Sequence, residues 1–456
     1  MISCDICIVG AGPCGLISAL QLSKDFKVCV IEAGRNFEQR ICNLDLGLKC
    51  KENCNPCNII SGYGGCQFLD GTKACFYPAG SGLLKFKSKE DIRKYYNEIE
   101  DLLVDFGKPL REDVDSVLIN NIVDDFNLHN IDIKYYNAQK VDKNIMQKIG
   151  LNIRKKLDKN NVSFIWGEKV LDIKHENDFK VYTDRKMISA HRVILATGRY
   201  GGMFLNRLAD NIGIKYESDN LVGEIGVRIE MPSKVFEKIN DVFNDIKLKR
   251  RIDDANEIRT FCQNYKGIVR KCVFDVNARK LSSLDGCVLG PEDNNTKSVN
   301  IAIHHRKSDV KKIDDFNKMI FDSNKNRKPI VQNMKSFLND TEDCFIDDEY
   351  CTMKDYVCGN INKYLPADTL RYIKEMIIDI DEVLPGFANE KNIIYAPSFE
   401  FGANKYKLNS NFETNIKGLY IGGDASGYFR GLMQAMISGK IISDDILRSS
   451  YDGEAN

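Results

Sequence analysis

The 456-residue sequence predicts an α/β fold: a Rossmann-like domain split along the chain, with an α+β domain inserted into it. Three observations carry this. Near the N-terminus an apolar run meets a glycine turn, a helix and a second apolar run that ends in an acid. In mid-chain a strand ends in Ala196-Thr197-Gly198. Close to the C-terminus another short strand delivers Asp424 to a turn before a last helix.

Residues 5 to 9, DICIV, have the length and composition of a buried parallel strand. Gly10-Ala11-Gly12-Pro13-Cys14-Gly15 follows. A helical pattern comes next, with Leu16, Ala19, Leu20 and Leu22 on one side. The second strand, KVCVIE, ends at Glu32, twenty residues past Gly12. Together these parts make a βαβ dinucleotide fingerprint in its required context. Gly10 permits the tight turn, Gly12 lets backbone approach a pyrophosphate, and Gly15 lets helix pack on strand. The helix N-terminus offers unpaired N–H groups and a positive dipole end to phosphates. Glu32 is placed to accept hydrogen bonds from a ribose diol.

Two further segments favour FAD over NAD. HRVILATGR, residues 191 to 199, follows an expected three-stranded meander: VSFIWGEKVLDIKHE, FKVYTD, RKMISAHRV. GLYIGGDASG, residues 418 to 427, brings Asp424 to where it can hold a ribityl hydroxyl. The helix expected from Gly431 to Ser443 would aim its N-terminus at the flavin and stabilise negative charge there. No second fingerprint with its own acid-ending strand occurs, so NAD(P)H is expected only as a transiently docking reductant. The expected FAD-binding set is Gly10, Gly12, Gly15, Glu32, Gly64, Gly65, Thr197, Gly198, Gly423, Asp424 and Gly431.

Lysine plus arginine and aspartate plus glutamate each number 65, so net charge is zero and favours neither nucleic acid nor an anionic membrane as partner. No segment reads as a membrane span or a signal peptide, and the expected location is cytoplasmic. The basic run Lys247 to Arg251 reads as a solvated helix face. Of 16 cysteines, ten fall within residues 1 to 75. In a cytosolic chain they are not a disulfide framework. Cys7 and Cys29 read as small hydrophobes inside strands. Cys344, Cys351 and Cys358, spaced by seven, fit one helix face and read as packing.

Cys50, Cys54 and Cys57 have CxxxCxxC spacing, with Cys42 upstream and Cys66 and Cys75 downstream. Three readings stand for this loop. The thiolates hold an iron–sulfur cluster or zinc; Cys54 and Cys57 form a redox pair with the flavin; or the loop has no ligand.

The chain resembles the FAD-dependent flavoproteins labelled NAD(FAD)-utilising dehydrogenases. CNPCNIISGYGG with DGTK, VILATGR, GEIGVRIE, IRTFC, IIYAPSFEF and GLYIGGDASGYFRGLMQAMISG carry the likeness almost end to end. It implies an FAD domain of the glutathione reductase-2 type with an inserted substrate domain, and no particular substrate. The loop GGCQFLDGTKACFYPAGSG departs from the pattern by two cysteines and one extra residue. QNYKGIVRKC lacks an expected proline-glycine turn. Both loops are expected to face flavin or substrate, so the substrate is expected to differ from its relatives'.

The FAD-binding domain is assigned to residues 1–110, 147–225 and 390–456, and the inserted substrate domain to 226–389 with 111–146. GEIGVRIEM, IVRKCVFDV and SVNIAIHHR alternate like strands; residues 306 to 343 and 353 to 380 read as charged helices; the tail YDGEAN reads as frayed. Lys73, Asp70 and Arg259 are the catalytic candidates, Arg228 a second carboxylate-binding arginine. His304 and His305 end a strand, with one expected to point to solvent. The function expected is hydride transfer between a small-to-medium metabolite and flavin N5, with an electron-transfer partner downstream. The alternatives are a redox-sensing or structural flavoprotein module and an RNA-modifying flavoenzyme.

Overall fold

The computed structural model describes residues 2–46, 48–107, 116–135, 137–217, 223–240, 242–276, 279–288, 296–307, 328–347, 349–400 and 404–454. Its first three elements are strand β1 (Ile2–Val9), helix α1 (Pro13–Leu22) and strand β2 (Val28–Glu32). β1 and β2 pair in parallel, Cys7 opposite Cys29. β2 continues to Ser163–Trp166 and β1 to the long strand Met187–Leu195, again in parallel.

That long strand divides its work. Residues 187–190 pair antiparallel with Phe179–Thr183, which pairs with Val170–His175. Residues 193–195 pair in parallel with Leu419–Ile421. The first third of the expected meander therefore splits: SFIW joins the parallel sheet, and only VLDIKH belongs to the meander. Helix Leu432–Glu454 packs across α1, where Ser18 Oγ donates to Gly439 O at 3.2 Å. It is about twice the expected length, because the apolar stripe Ile437, Ile441, Ile442, Ile446 continues past Ser443.

A second sheet of eight strands runs, edge to edge, Val357–Cys358, Ile330–Asn333, Ile393–Glu400, Gly223–Pro232, Ser298–Lys307, Asn256–Tyr265, Ile246–Arg251 and Asp132–Tyr135. It is antiparallel except for its first pair. Ile393–Glu400, assigned by sequence to the first domain, thus pairs inside this sheet. The alternation is two-faced. Ile225, Val227, Ile229, Ile301 and Ile303 pack with Ile373, Met376, Ile377 and Ile380 of helix Ala367–Val383 in one apolar cluster. The opposite face is polar. A hairpin, Ile268–Val276 with Arg279–Cys287, completes this half.

Several expectations are corrected. Lys247 to Arg251 lies in the strand Ile246–Arg251, because Ile246 and Leu248 alternate into the core. The segment 353–380 is helical only from Ala367, where Pro366 caps the helix; of 306–343, residues 308–327 lie outside the described part and only Met334–Asn339 is a helix in the rest. Cys344 and Cys358 form a disulfide instead of sharing a helix face, while Cys351 is buried against Tyr395 OH at 3.4 Å. The remaining cysteines are free thiols. The last helix also runs through Tyr451 to Glu454, where a frayed tail was expected.

Candidate functional site

The site begins at the carboxyl ends of the parallel strands. Gly10 has φ +109°, and a Cβ there would lie 2.4 Å from Ala196 O. A Cβ on Gly15 would lie 2.0 Å from Gly10 O. Both positions exclude any side chain. Gly12 differs: a Cβ there meets nothing within 4 Å, so its backbone borders open space at the start of α1. Gly64, whose N–H donates to Ala11 O at 2.7 Å, and Gly65, whose added Cβ would sit 3.4 Å from Gly12 Cα, bring a second glycine turn onto the first.

Glu32 is buried at the end of β2. Its carboxylate accepts from the amides of Ala11 (2.8 Å), Gly34 (2.8 Å) and Gly62 (3.0 Å). A carboxylate has about four lone-pair positions, so one remains for a hydroxyl. Arg40, which the sequence reading missed, locks the turn from behind. It is buried and donates to the carbonyls of Asn58, Ile59 and Tyr63 at 2.7–2.9 Å. No motif marks it; only its contacts do.

Thr197 and Gly198 follow the end of the long strand Met187–Leu195 beside this turn. Thr197 Oγ1 is buried without a hydrogen-bond partner among the described residues, and a Cβ on Gly198 meets nothing within 4 Å. Arg199 follows, ion-paired with Glu400 of the large sheet and 3.7 Å from Asp424 Oδ2. Arg430 lies 3.7 Å from Glu400. Burial raises the Asp424 carboxyl above its ordinary range, with Arg199 and Arg430 opposing. Gly423 and Gly431 flank Asp424 with φ +66° and +123°.

Tyr200 and Cys66 lie close to these groups. Tyr200 stacks on Phe274 (centroids 4.5 Å apart) yet keeps 39% of its surface accessible, while its hydroxyl is pushed well up by burial. Cys66 likewise has an accessible side chain and a thiol raised by burial.

The polar face of the large sheet carries two rows across five strands. One is Arg251, Glu257, Arg306, Glu224, Glu400; the other is Lys249, Arg259, His304, Gly226, Ser398. Arg259 grips Glu224 at 2.5 and 3.2 Å. Burial alone would raise the Glu224 carboxyl, but Arg259 and His304 outweigh it and hold it well below the usual range. His304 Nε2 is 2.8 Å from Ser398 Oγ, and burial lowers its pKa despite Glu224. Neither histidine points to solvent: His305 is buried on the other face against Thr369 (2.9 Å) and Asn256 (3.1 Å).

The catalytic candidates are all in buried or half-buried ion pairs: Lys73 with Asp245 at 2.6 Å, Asp70 with Arg270 at 2.5 Å, and Arg259 with Glu224. Lys247 stands between the Lys73–Asp245 pair and Arg259–Glu224, its amine lowered by burial and by Arg259. Arg228 is fully buried and donates to Asn300 Oδ1 at 2.5 Å. A Cβ on Gly286 would clash with Asn264, Arg228 and Asn300, so this arginine supports the hairpin backbone.

The loop of Cys50, Cys54 and Cys57 packs in part into the core. Among the described residues no three His, Cys, Asp or Glu side chains are grouped to hold a metal ion. Cys57 instead belongs to an apolar cluster against which Cys42 and Cys50 pack, and burial raises the Cys50 thiol. The loop is tied down by Lys271 to Glu52 (2.5 Å) and Lys169 to Asn55 (2.6 Å).

No protein-family model matches the chain, and no curated protein matches it in sequence. Solved structures do. Glycine oxidase from Geobacillus kaustophilus is 9% identical, with 98% of this chain and 95% of that one covered and a TM-score of 0.42. A flavoprotein/dehydrogenase from Cytophaga hutchinsonii is 11% identical, with 98% and 79% covered and a TM-score of 0.42. p-Nitrophenol 4-monooxygenase PnpA from Pseudomonas putida DLL-E4 is 12% identical, with 99% and 82% covered and a TM-score of 0.40. Likeness at these values says nothing of activity or ligand. The fold is read from the strand pairing itself: a Rossmann-like parallel sheet joined to an α+β half.

Proposed function

We propose that the chain is an FAD-dependent oxidoreductase acting on a small-to-medium metabolite. The observation that carries this is the open backbone cradle at Gly12, bounded by Gly65, with Glu32 at the end of the next strand. Such a donor set fits a pyrophosphate and a ribose. Asp424 and the start of helix Leu432–Glu454 favour the flavin dinucleotide over NAD: the acid would hold a ribityl hydroxyl, and the helix end would stabilise negative charge on the ring. Bound flavin supplies reversible hydride acceptance at N5.

The remaining roles fall to the chain's own groups. Gly12 and Gly65 keep side chains out of the pyrophosphate's path. Arg199 ties Asp424 to Glu400 and so fixes the turn of one sheet to a strand end of the other. His304, kept neutral by burial, faces through Nδ1 a Glu224 carboxylate that stays charged and through Nε2 Ser398, so both ring nitrogens are engaged and its role is to orient that carboxylate. A transiently docking NAD(P)H or a partner protein would exchange electrons with the site.

Heat denaturation of the purified protein followed by chromatography of any released flavin tests the cofactor. FAD at close to one equivalent is expected. Release of FMN, or protein that remains colourless after incubation with FAD, overturns the proposal.

A further inference from the structure

Apart from this cradle, a group of lysines gathers where a two-stranded sheet meets the edge of the large one. Thr72–Cys75 pairs antiparallel with Ala138–Val141, and Lys73 stands directly opposite Lys140. Like charges in such a cross-strand pair repel, and a chain keeps them only where something offsets the cost. Lys73 is neutralised by Asp245 at 2.6 Å and also donates to Gln263 O at 2.5 Å. Lys140 is not neutralised. Its Nζ donates to Asn240 Oδ1 at 3.0 Å and Tyr265 O at 3.4 Å, and sits 4.8 Å from the centre of the Tyr265 ring. Lys266 lies 5.5 Å from the centre of that same ring. Among the described residues no carboxylate reaches salt-bridge distance of Lys140 or Lys266.

Asp245 pairs with Lys73 and also attracts Lys247, so Lys140 and Lys266 are left without a compensating carboxylate and the cluster keeps a positive excess. Burial together with Lys73 and Lys266 pulls the Lys140 amine down to about 8, which is the electrostatic strain expected of an uncompensated cluster. A second observation lies beside it. Gln263, whose carbonyl receives Lys73, is fully buried, and neither end of its side-chain amide has a partner among the described residues. A buried amide left unpaired costs about 1–3 kcal/mol, so a polar neighbour is called for.

We propose that Lys73, Lys140 and Lys266 form a phosphate-binding subsite for a dianionic phosphate monoester. The charge matches a dianion, and separate ammonium groups suit a tetrahedral oxyanion approached from several sides; a planar carboxylate would be matched better by an arginine fork. The phosphate would come from a phosphorylated metabolite or from the 2′-phosphate of NADPH. The subsite does not depend on the flavin reading, since none of its groups belongs to the glycine cradle.

Calorimetric titration of the full-length protein with inorganic phosphate tests it. One saturable site is expected. Lys140→Met and Lys266→Met should each weaken binding about tenfold or more, as removal of one charge-assisted contact does, while Lys140→Arg keeps it and reports that the fold is intact. NADPH displacing phosphate where NADH does not would identify the dinucleotide as the source; displacement by glycerol phosphate and by neither dinucleotide would identify a metabolite. Absence of saturable binding at tens of millimolar phosphate, or equal binding by Lys140→Met and the parent, overturns the proposal.

Discussion

At the carboxyl ends of the parallel strands the candidate site is built from backbone: Gly10, Gly12, Gly15, Gly64 and Gly65, with Glu32 and Arg40 spending their hydrogen bonds on main-chain groups. Across from it, the polar face of the large sheet is built from side chains that pair with one another, Arg259 with Glu224, Lys249 with Glu257, His304 with Ser398. The two meet at Arg199 and Glu400. A backbone cradle has one shape and serves one kind of ligand. A grid of paired charges can be retuned residue by residue while the sheet persists. On the proposed function, the first region would hold the cofactor and the second would set specificity.

The largest effect that would break this comparison falls on the glycines. Gly15→Ala places a methyl 2.0 Å from Gly10 O in packed backbone, so we expect a loss on the order of 4 kcal/mol in a denaturant titration, the upper end for overpacking. Compared as flavin-free proteins, Gly12→Val is expected to leave the denaturation midpoint nearly unchanged while abolishing flavin retention, because a Cβ there meets only open space. Equal loss of stability in both variants would mean that Gly12 borders no cavity, and the cradle reading would fail.

A smaller effect is expected on the side-chain face. Glu224→Gln leaves Arg259 with a neutral partner in a site where the carboxylate is buried. Breaking a buried pair costs about 3 kcal/mol. Here the pH dependence adds a check. The folded Glu224 carboxyl lies below its ordinary value, so its contribution is present above the unfolded pKa and is lost as pH falls through the folded one. The variant should be less stable than the parent at neutral pH, and the two should converge in acid. Curves that stay parallel throughout would show that the Arg259 pair contributes nothing.

The two regions were unequally legible in the sequence for the same reason that they differ physically. Glycines and a strand-end acid appear in a fixed local spacing, so β1, α1, β2 and the turn at Asp424 could be placed from the letters alone. The rows on the large sheet depend on register between strands far apart in sequence: Glu224 meets Arg306 and Glu400 only once three strands are aligned. Lys247 to Arg251 was misread because its charges hide the alternation of Ile246 and Leu248 with lysines. Cys344 and Cys358 show only a spacing, and nothing local says that the chain between them folds back to join them. Arg40 carries no motif at all.

The finest test compares two glutamates of one strand. Glu224 and Glu230 both lie on the polar face of Gly223–Pro232, and both are buried. Their surroundings differ. Glu230 is held by neutral donors, the amide and hydroxyl of Thr352 and the hydroxyl of Tyr395 at 2.5 Å. Burial pushes its carboxyl up to about 7, which these donors and Arg228 only partly oppose. The sign is the reverse of Glu224's. A carboxyl whose folded pKa is raised binds its proton more tightly when folded, so stability falls as pH rises from the unfolded value through about 7 and is level above it. A shift of this size is worth at most about 3 kcal/mol, and relaxation around the charge should reduce it to roughly 2. Glu230→Gln, which mimics the protonated acid, should therefore match the parent near pH 4 and be more stable than it at pH 8. If the variant instead loses stability at pH 8, Glu230 is charged in the fold, and neutral donors suffice to hold a carboxylate on this face without an arginine.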